Sequence, residues 1–252
     1  IILTMRCLLD TTHADPAYEI IRLCAEQLVR DANRNAGTAS WPSGPDKLHL
    51  SGYAHGAGGI AAALKVAGDV LDDEGLHELA REAIAFENRT FDRARQNWQD
   101  QRPDVNISTA WCHGAIGIAL SRLALRDVLS PDVFQADLER ALAAIADNGA
   151  GGSHCLCHGS IGNAIVLDRC GERGQALAAA LISQTIAQYR QDGRWRCGVG
   201  GHMQTPGLML GKAGIGMGLV SAPIASQESG NQWFGGRQPA RFFGFWQNRT
   251  TR

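Results

Sequence analysis

The sequence predicts an all-α protein with the architecture of an α/α toroid, in which an inner ring of helices is wrapped by an outer ring. Three observations predict this fold class. Four segments share one glycine pattern, each of them runs into an apolar helical stretch, and amphipathic stretches lie between them. Strand signals are weak, and only residues 194–199 are expected to form a short hairpin.

The shared pattern is Gly-x-x-Gly, and it marks the start of each predicted inner helix. The four segments are residues 55–60 (HGAGGI), 113–118 (HGAIGI), 158–163 (HGSIGN) and 210–215 (LGKAGI). Their first glycines are 58, 45 and 52 residues apart, a spacing typical of repeat architectures. Glycines three residues apart at a helix start allow neighbouring backbone to come close, which explains their presence among good helix formers.

The helical stretches alternate in polarity along the chain. Those that follow the glycines, at residues 60–67 and 118–125, are apolar almost all round. Those between the repeats carry apolar residues at three- and four-residue intervals and are polar elsewhere: residues 17–32, 75–94, 131–146 and 172–191. This alternation indicates buried helices covered by half-exposed ones. The pattern alone also allows an ordinary helical solenoid whose glycines only permit close packing.

Composition narrows the classes of function. With 252 residues the chain is long enough for one large domain or two small ones, and its formal net charge of −1 gives no electrostatic footprint for nucleic acid. No apolar run approaches the roughly 20 residues that a membrane span needs. Seven scattered cysteines predict a reducing compartment, hence the cytoplasm. Residues 1–9 lack a basic leader and a cleavage site, so we expect the tail of a helix rather than a signal peptide.

Residue types that bind zinc stand just before the glycine pairs. Cys112 and Cys157 occupy the same repeat position, His158 follows Cys157, and the first repeat offers His55. If equivalent helix starts face one mouth of a toroid, these side chains converge on its axis. Two thiolates and an imidazole, with one coordination position left open, form a catalytic type of zinc site. The pattern therefore predicts zinc held by Cys112, Cys157 and His158.

Neighbouring residues leave other ligand sets open. Cys155 or His154 could replace a predicted ligand if the register differs, and His113 occupies the same repeat position as His158. We interpret His113 as a residue that packs against or supports the site. No ligand role is predicted for the remaining candidates, which are Cys7, Cys24 and Cys170 as small apolar residues of helices, and Cys197 and His202 in a glycine-rich loop.

Taken together, five segments resemble the LanC-like cyclase domain, most closely the C-terminal half of bifunctional, class II lanthionine synthetases. They are residues 51–60 (SGYAHGAGGI), 97–102 (NWQDQR), 111–120 (WCHGAIGIAL), 157–163 (CHGSIGN) and 206–216 (PGLMLGKAGIG). The segments occur in the order of the family and cover residues 1 to about 220. One Gly-x-x-Gly alone would be a weak signal, whereas the set is specific.

The resemblance implies an α/α toroid with a central zinc ion held by Cys112, Cys157 and His158. Its substrate would be a precursor peptide whose serines and threonines have been dehydrated. A cysteine of that peptide takes the open zinc position as a thiolate and adds to the dehydroamino acid, which closes a (methyl)lanthionine thioether ring. His55 matches the family position that protonates the α-carbon, a role that suits histidine near neutral pH. The alternative is that His55 is a helix-start histidine that packs on its neighbour.

The sequence also departs from the family. We expect a toroid that is incomplete, because the earliest inner helices and an active-site aspartate lie upstream in the family, and neither Asp10 nor Asp15 matches that aspartate. A fused or upstream dehydratase domain is expected as a partner. We expect the cyclase domain to cover residues 1–220. The arginine- and aromatic-rich residues 221–252 allow a nucleic-acid or membrane contact, but we interpret them as unrelated or frame-shifted sequence outside the toroid.

Two other functions stay open. The chain could be a non-catalytic fragment that only binds zinc or peptide, or it could add glutathione to dehydrated residues, as eukaryotic relatives of the family suggest. The Trp111-Cys112-His113-Gly114 segment and residues 97–102 favour the bacterial, peptide-modifying branch. The sequence does not specify the precursor peptide or its ring pattern.

Overall fold

The computed structural model describes residues 1–102, 109–148, 152–201 and 203–221. The chain divides into two compact units, Ile1–Gly149 (unit 1) and Ala150–Arg252 (unit 2). Residues 222–252, which include almost all of the predicted tail, lie outside the described residues.

Helices dominate both units. Within the described residues unit 1 contains α1 (Ile2–Arg6), α2 (Ala14–Asp31), α3 (Ala57–Leu71), α4 (Glu74–Arg89), α5 (Ala115–Ala124) and α6 (Pro131–Asn148). Unit 2 contains α7 (Ser160–Leu167), α8 (Gly171–Asp192) and α9 (Lys212–Ser221). Each predicted amphipathic segment is a helix, and so is each apolar segment that follows a glycine pair. The apolar helices pack against the amphipathic ones in the pairs α3–α4, α5–α6 and α7–α8.

Three short antiparallel hairpins, which the sequence did not predict, lie in the loops of unit 1. They pair β1 (Asn33–Asn35) with β2 (Thr38–Ser40), β3 (Pro42–Ser43) with β4 (Leu48–His49), and β5 (Phe91–Asp92) with β6 (Asn97–Trp98). Strands of two or three residues are too short for a period-two pattern to stand out. The third hairpin also explains why α4 ends at Arg89 and does not continue to residue 94 as predicted.

The hairpin predicted at residues 194–199 is wrong, because these residues form no strand. Their backbone groups bond to other segments instead. The amide of His154 donates to the carbonyl of Arg196 at 2.7 Å, and the amide of Gly198 donates to the carbonyl of Leu210 at 2.7 Å. The segment is therefore a loop tied to the starts of two helices.

The second glycine of each Gly-x-x-Gly pair has a specific steric role. In all four repeats a Cβ at this glycine would overlap the backbone carbonyl of the residue six positions earlier. The pairs are Gly59 with Tyr53, Gly117 with Trp111, Gly162 with Leu156, and Gly214 with Leu208. The loop before each inner helix thus folds back onto the first turn of that helix. The close backbone approach predicted from the glycine spacing is confirmed.

No described helix combines the length and the apolar character that crossing a membrane would require.

Candidate active site

In unit 1 the candidate site is built on the loop that precedes α3. This loop closes on itself, since the amide of Ala57 donates to the carbonyl of Leu50 at 2.9 Å. Its buried Ser51 is held from outside, because the Ser51 amide donates to the side-chain carbonyl of Gln101 at 3.0 Å. Gln101 belongs to the motif at residues 97–102, which the sequence singled out without a role.

Gly52 lets this loop pack directly against the start of α5. Its φ of +102° is a conformation that other residues rarely adopt, and a Cβ there would stand 2.8 Å from the Cα of His113. Two residues later, the amide of Ala54 donates to the carbonyl of Cys112 at 3.1 Å. The first and second repeats are therefore joined at their helix starts through backbone contacts.

His55 and His113 stack face to face at this junction. Their ring centroids are 4.6 Å apart and the ring planes differ by 6°. His55 is exposed to solvent, whereas His113 is partly buried. The structure thus brings the predicted catalytic histidine to the residue next to Cys112, and it supports the interpretation of His113 as a residue that packs on the site.

An ion pair sets the electrostatics next to His113. The side chain of Asp100 is 2% exposed and accepts two hydrogen bonds from the Arg102 guanidinium, one of them at 2.8 Å. Burial and the positive charge of Arg102 lower the pKa of His113 to about 4. His113 is therefore neutral near pH 7, and it can stack on His55 without charge repulsion. Sequence reasoning gave Asp100 and Arg102 no role, although their motif carried the signal.

Cys112 is partly exposed and lies three residues before the first residue of α5. The Arg102 guanidinium lies near enough to interact electrostatically with Cys112, and this attraction contributes to raising the pKa of Arg102 after the larger contribution of Asp100. A nearby cation and a helix N-terminus both favour the thiolate form of a cysteine. The surroundings of Cys112 therefore suit a metal-binding thiolate.

In unit 2 the predicted ligands Cys157 and His158 stand at the start of α7 and are both partly exposed. The amide of Cys157 donates to the carbonyl of Met209 at 3.1 Å, in the loop before α9. Gly198 lies against the His158 ring, since a Cβ at Gly198 would stand 2.9 Å from its Nε2 and Cε1 atoms. The absence of a side chain at Gly198 therefore leaves room for the imidazole of His158.

The alternative ligands in unit 2 are engaged elsewhere. His154 is 1% exposed, its Nδ1 accepts from the amide of Arg196 at 3.2 Å, and its Nε2 lies 3.1 Å from the side-chain carbonyl of Gln188. Burial lowers the pKa of His154, and its Nδ1 carries no proton where it accepts from the amide of Arg196. Cys155 is fully buried, and its sulfur is 3.4 Å from the Ser153 hydroxyl. The contacts of His154 favour His158 over His154 as a ligand, whereas the buried Cys155 sulfur and the His158 ring both border the Cβ position of Gly198.

A cleft of about 620 Å³ opens beside His158. Its lining includes the exposed Arg194, the ring of Trp195 and the backbone of the glycine-rich loop from Gly198 to Gly201. Tyr189 supports Trp195 by stacking at 4.1 Å. The lining of the cleft thus combines charged groups of both signs, since Asp192 also lines it, with an aromatic residue and glycine backbone.

The donor set fits zinc in chemistry, although it is divided between the units. Cys112 belongs to unit 1, and Cys157 and His158 belong to unit 2. Among the described residues, no three histidine, cysteine, aspartate or glutamate side chains converge as a group that could hold a metal ion. The zinc triad therefore stays a prediction, supported by the residue types and by their partly exposed positions before helix starts.

The cysteines for which no ligand role is predicted differ in burial. Cys170 is buried, and this burial raises the pKa of its thiol to about 12, in line with a packing role. Cys24 is partly exposed and Cys197 is buried, but Cys7 is exposed, so the packing role predicted for Cys7 is wrong. His202 lies outside the described residues.

The profile of the family described as "Lanthionine synthetase C-like protein" matches residues 2–232. The chain belongs to the lanthionine synthetase C-like family. It is 29% identical, over 191 residues, to the lacticin 481/lactococcin biosynthesis protein LcnDR2 of Lactococcus lactis subsp. lactis, which covers 69% of this chain and 20% of that protein. The chain thus spans about a fifth of the length of this relative.

Nisin cyclase is a solved structure with the same fold. The TM-score is 0.54 at 19% identity, and the match covers 76% of this chain and 53% of nisin cyclase. Since nisin cyclase is an α/α toroid, the predicted fold class is confirmed. The family resemblance predicted from five segments is confirmed as well.

Proposed function

We propose that this member of the lanthionine synthetase C-like family closes thioether rings in a dehydrated precursor peptide, with zinc as its cofactor. The observation that carries the proposal is the stack of His55 on a neutral His113, next to Cys112, in a chain that belongs to a lanthionine cyclase family. The names of the relatives, which concern lacticin 481, lactococcin and nisin, support a peptide substrate of the lantibiotic class.

In this proposal Cys112, Cys157 and His158 hold the zinc ion. When bound, zinc supplies a positive charge that keeps the thiol of the substrate cysteine deprotonated at neutral pH. Arg102, which is oriented by Asp100, favours the thiolate of Cys112 from the protein side. Gly198 leaves room for the imidazole of His158.

His55 transfers the proton in the proposed reaction. A new bond joins the cysteine sulfur to the β-carbon of the dehydroamino acid, the carbon–carbon double bond becomes single, and the α-carbon gains one proton. The thiol has lost one proton, so the reaction is balanced without an oxidant or a reductant. His55 is exposed to solvent and rests on the uncharged ring of His113, so its ring can receive a proton and deliver it to the α-carbon.

The cleft beside His158 is proposed to hold the peptide next to the reacting cysteine. Its aromatic and backbone groups bind an extended chain without demanding one particular side chain. Because the proposed substrate is a dehydrated peptide, we propose that a fused or upstream dehydratase domain supplies it. The thiolate ligands also require a reducing compartment, which is why we propose a cytoplasmic location.

The decisive experiment incubates the purified protein and zinc with a peptide that contains one cysteine and one dehydroalanine. Cyclisation leaves the mass of the peptide unchanged and consumes its thiol, so alkylation followed by mass spectrometry should find peptide that no longer reacts. Glutathione added to the mixture separates the alternatives, because a glutathione-adding protein would increase the peptide mass. A protein that binds zinc and leaves the thiol free would instead be the non-catalytic fragment.

Metal analysis tests the ligand set separately. We expect about one zinc ion per chain, lost in Cys112→Ala, Cys157→Ala and His158→Ala, in keeping with a site of three protein ligands. Cys155→Ala is the matched control, because it removes a buried thiol two residues from Cys157 and should keep its zinc. Full zinc content in Cys157→Ala would refute the assignment.

His55→Gln should retain zinc and lose most cyclisation, by about 100-fold or more, since a positioned acid–base group commonly contributes that much. His49→Gln is a control that removes a histidine from the preceding hairpin. Unchanged cyclisation in His55→Gln would remove His55 from the mechanism.

A further inference from the structure

A cluster of buried charges lies beneath the His55 loop of unit 1. Glu87 on α4 and Arg122 on α5 are both 0% exposed, and Asp137 on α6 is 1% exposed. The Arg122 guanidinium donates to the carboxylate of Glu87, and its Nε donates to the carboxylate of Asp137 at 2.9 Å. Asn88 completes the cluster, since it accepts from Arg122 at 2.9 Å and donates to Asp137 at 2.8 Å.

The carboxylate of Glu87 also binds the loop that carries His55. Its Oε1 atom accepts from the amide of Gly52 at 2.6 Å and from the amide of Gly58 at 3.1 Å. These two amides bracket the residues that carry His55. Gly52 itself lies against the backbone of Cys112 and His113. Glu87 therefore binds the loop at the point where the loop contacts the second repeat.

An ion cluster is not needed merely to join three helices. Replacing a buried ion pair by apolar residues of similar size is often neutral or stabilising. What an apolar cluster could not supply is an acceptor for the buried amides of Gly52 and Gly58, which would otherwise be unsatisfied. In this arrangement Arg122 compensates the charge of Glu87, and Glu87 accepts hydrogen bonds from the loop amides.

We infer that Glu87 is a positioning residue, which fixes the loop from Gly52 to Gly58 and thereby holds His55 on His113 beside Cys112. The inference rests on the proposed function for its consequence in catalysis. It assigns Glu87 no contact with substrate. Its loss should lower the rate of ring closure and leave zinc binding intact, because a small displacement of an acid–base group is costly.

Two double variants isolate the contact, and both delete the same charges. Glu87→Gln with Arg122→Met, the acceptor-retaining variant, keeps an acceptor opposite the loop amides, whereas Glu87→Met with Arg122→Met, the acceptor-free variant, removes it. We expect the acceptor-free variant to lower kcat at least about tenfold relative to the acceptor-retaining variant, with KM and zinc content equal. Hydrogen exchange at the amides of Gly52 and Gly58 should accelerate by a similar factor in the acceptor-free variant.

A further substitution covers the case in which the acceptor-free variant does not fold. A Cβ at Gly58 would stand 2.9 Å from both carboxylate oxygens of Glu87, so Gly58→Ala should push Glu87 off the loop while Arg122 stays in place. It should show the same loss of kcat and the same faster exchange at Gly52. The inference would be overturned if the two double variants had equal kcat and equal amide exchange. It would also be overturned if Gly58→Ala kept the wild-type kcat and the wild-type amide exchange.

These measurements distinguish a failure of the proposed function from a failure of the positioning role of Glu87. A wild-type protein that closes no thioether ring would refute the proposed function alone, and amide exchange would still decide whether Glu87 holds the loop. A wild-type protein that closes rings, with no difference between the matched variants, would refute the positioning role alone.

Discussion

The starts of α5 and α7 are two versions of one motif. Both read Cys-His-Gly, and in both the second glycine of the pair meets the carbonyl six residues earlier. Eight residues after the first glycine, however, α5 carries Arg122 and α7 carries Leu167, and both side chains are fully buried. The repeat thus preserves the backbone of the helix start and leaves the core chemistry behind it free to differ.

The two cores differ accordingly in how they satisfy polar groups. Behind α5 lies the ion cluster of Arg122, Glu87 and Asp137. At the start of α7 the contacts of the described residues include a neutral one, in which the hydroxyl oxygens of Thr185 and Ser160 lie 2.7 Å apart. The start of α5 in unit 1 is thus backed by a buried ion cluster, whereas the start of α7 in unit 2 has a buried neutral contact.

The largest expected effect is on stability, and it distinguishes Arg122 from Leu167, which occupy equivalent positions in α5 and α7. Arg122→Leu should lower the free energy of unfolding by about 3–5 kcal/mol, because it leaves the buried carboxylate of Glu87 without its cation and Asp137 with only the exposed Arg140 as a partner. Leu167→Met, which conserves volume, should cost less than about 1.5 kcal/mol. Urea unfolding followed by circular dichroism measures both, and similar losses would mean that the ion cluster carries no special weight.

Sequence reasoning could reach the helices and the helix starts because both have local signals. The amphipathic period predicted α2, α4, α6 and α8, and the repeated glycines predicted the close backbone approach. The three hairpins escaped, since strands of two or three residues are set by turn conformation and tertiary contacts. One example is the turn at Ala36 and Gly37, where both φ angles are positive.

The candidate site divides along the same line. His55, Cys112 and His158 stand out in the sequence because cysteine and histidine recur at two adjacent repeat positions, and their roles in the site stay predictions. Glu87 and Arg122 do not stand out, since a glutamate and an arginine on amphipathic and apolar helices carry no mark of their partnership. Only the fold brings residues 35 positions apart into one buried pair.

The next effect tests the feature that the two helix starts share. Gly117→Ala and Gly162→Ala should each lower the free energy of unfolding by about 1–3 kcal/mol, because the added methyl group would overlap backbone that cannot move like a flexible side chain. Gly216→Ala in α9 is the matched control, since nothing lies within 4 Å of its Cβ position. That variant should gain about 0.5–1 kcal/mol from helix propensity. A loss at Gly216 as large as at Gly117 would contradict the steric explanation.

A smaller effect on stability, with a larger one on metal binding, is expected at Gly198 in unit 2. In Gly198→Ala the methyl group would meet the Cys155 sulfur at 2.6 Å and the His158 ring at 2.9 Å, so the imidazole must shift. Zinc affinity should fall about 10-fold or more, as is usual when the support of a ligand changes. Competition with a chelator measures this affinity. Gly200→Ala, where nothing lies within 4 Å, should bind zinc like the wild type.

The smallest effect is a pH dependence that distinguishes His154 from a ligand. Burial lowers the pKa of His154 below its ordinary value of 6.5, so an acidic solution protonates the unfolded chain first. The contribution of the neutral ring to stability is therefore complete above about pH 6.5, and it is lost as the pH falls through the folded pKa. Between about pH 7.5 and about pH 5, His154→Gln should lose less unfolding free energy than the wild type does. His13→Gln, at an exposed position, should retain the full pH dependence, and an equal change in the two variants would exclude His154 as its source.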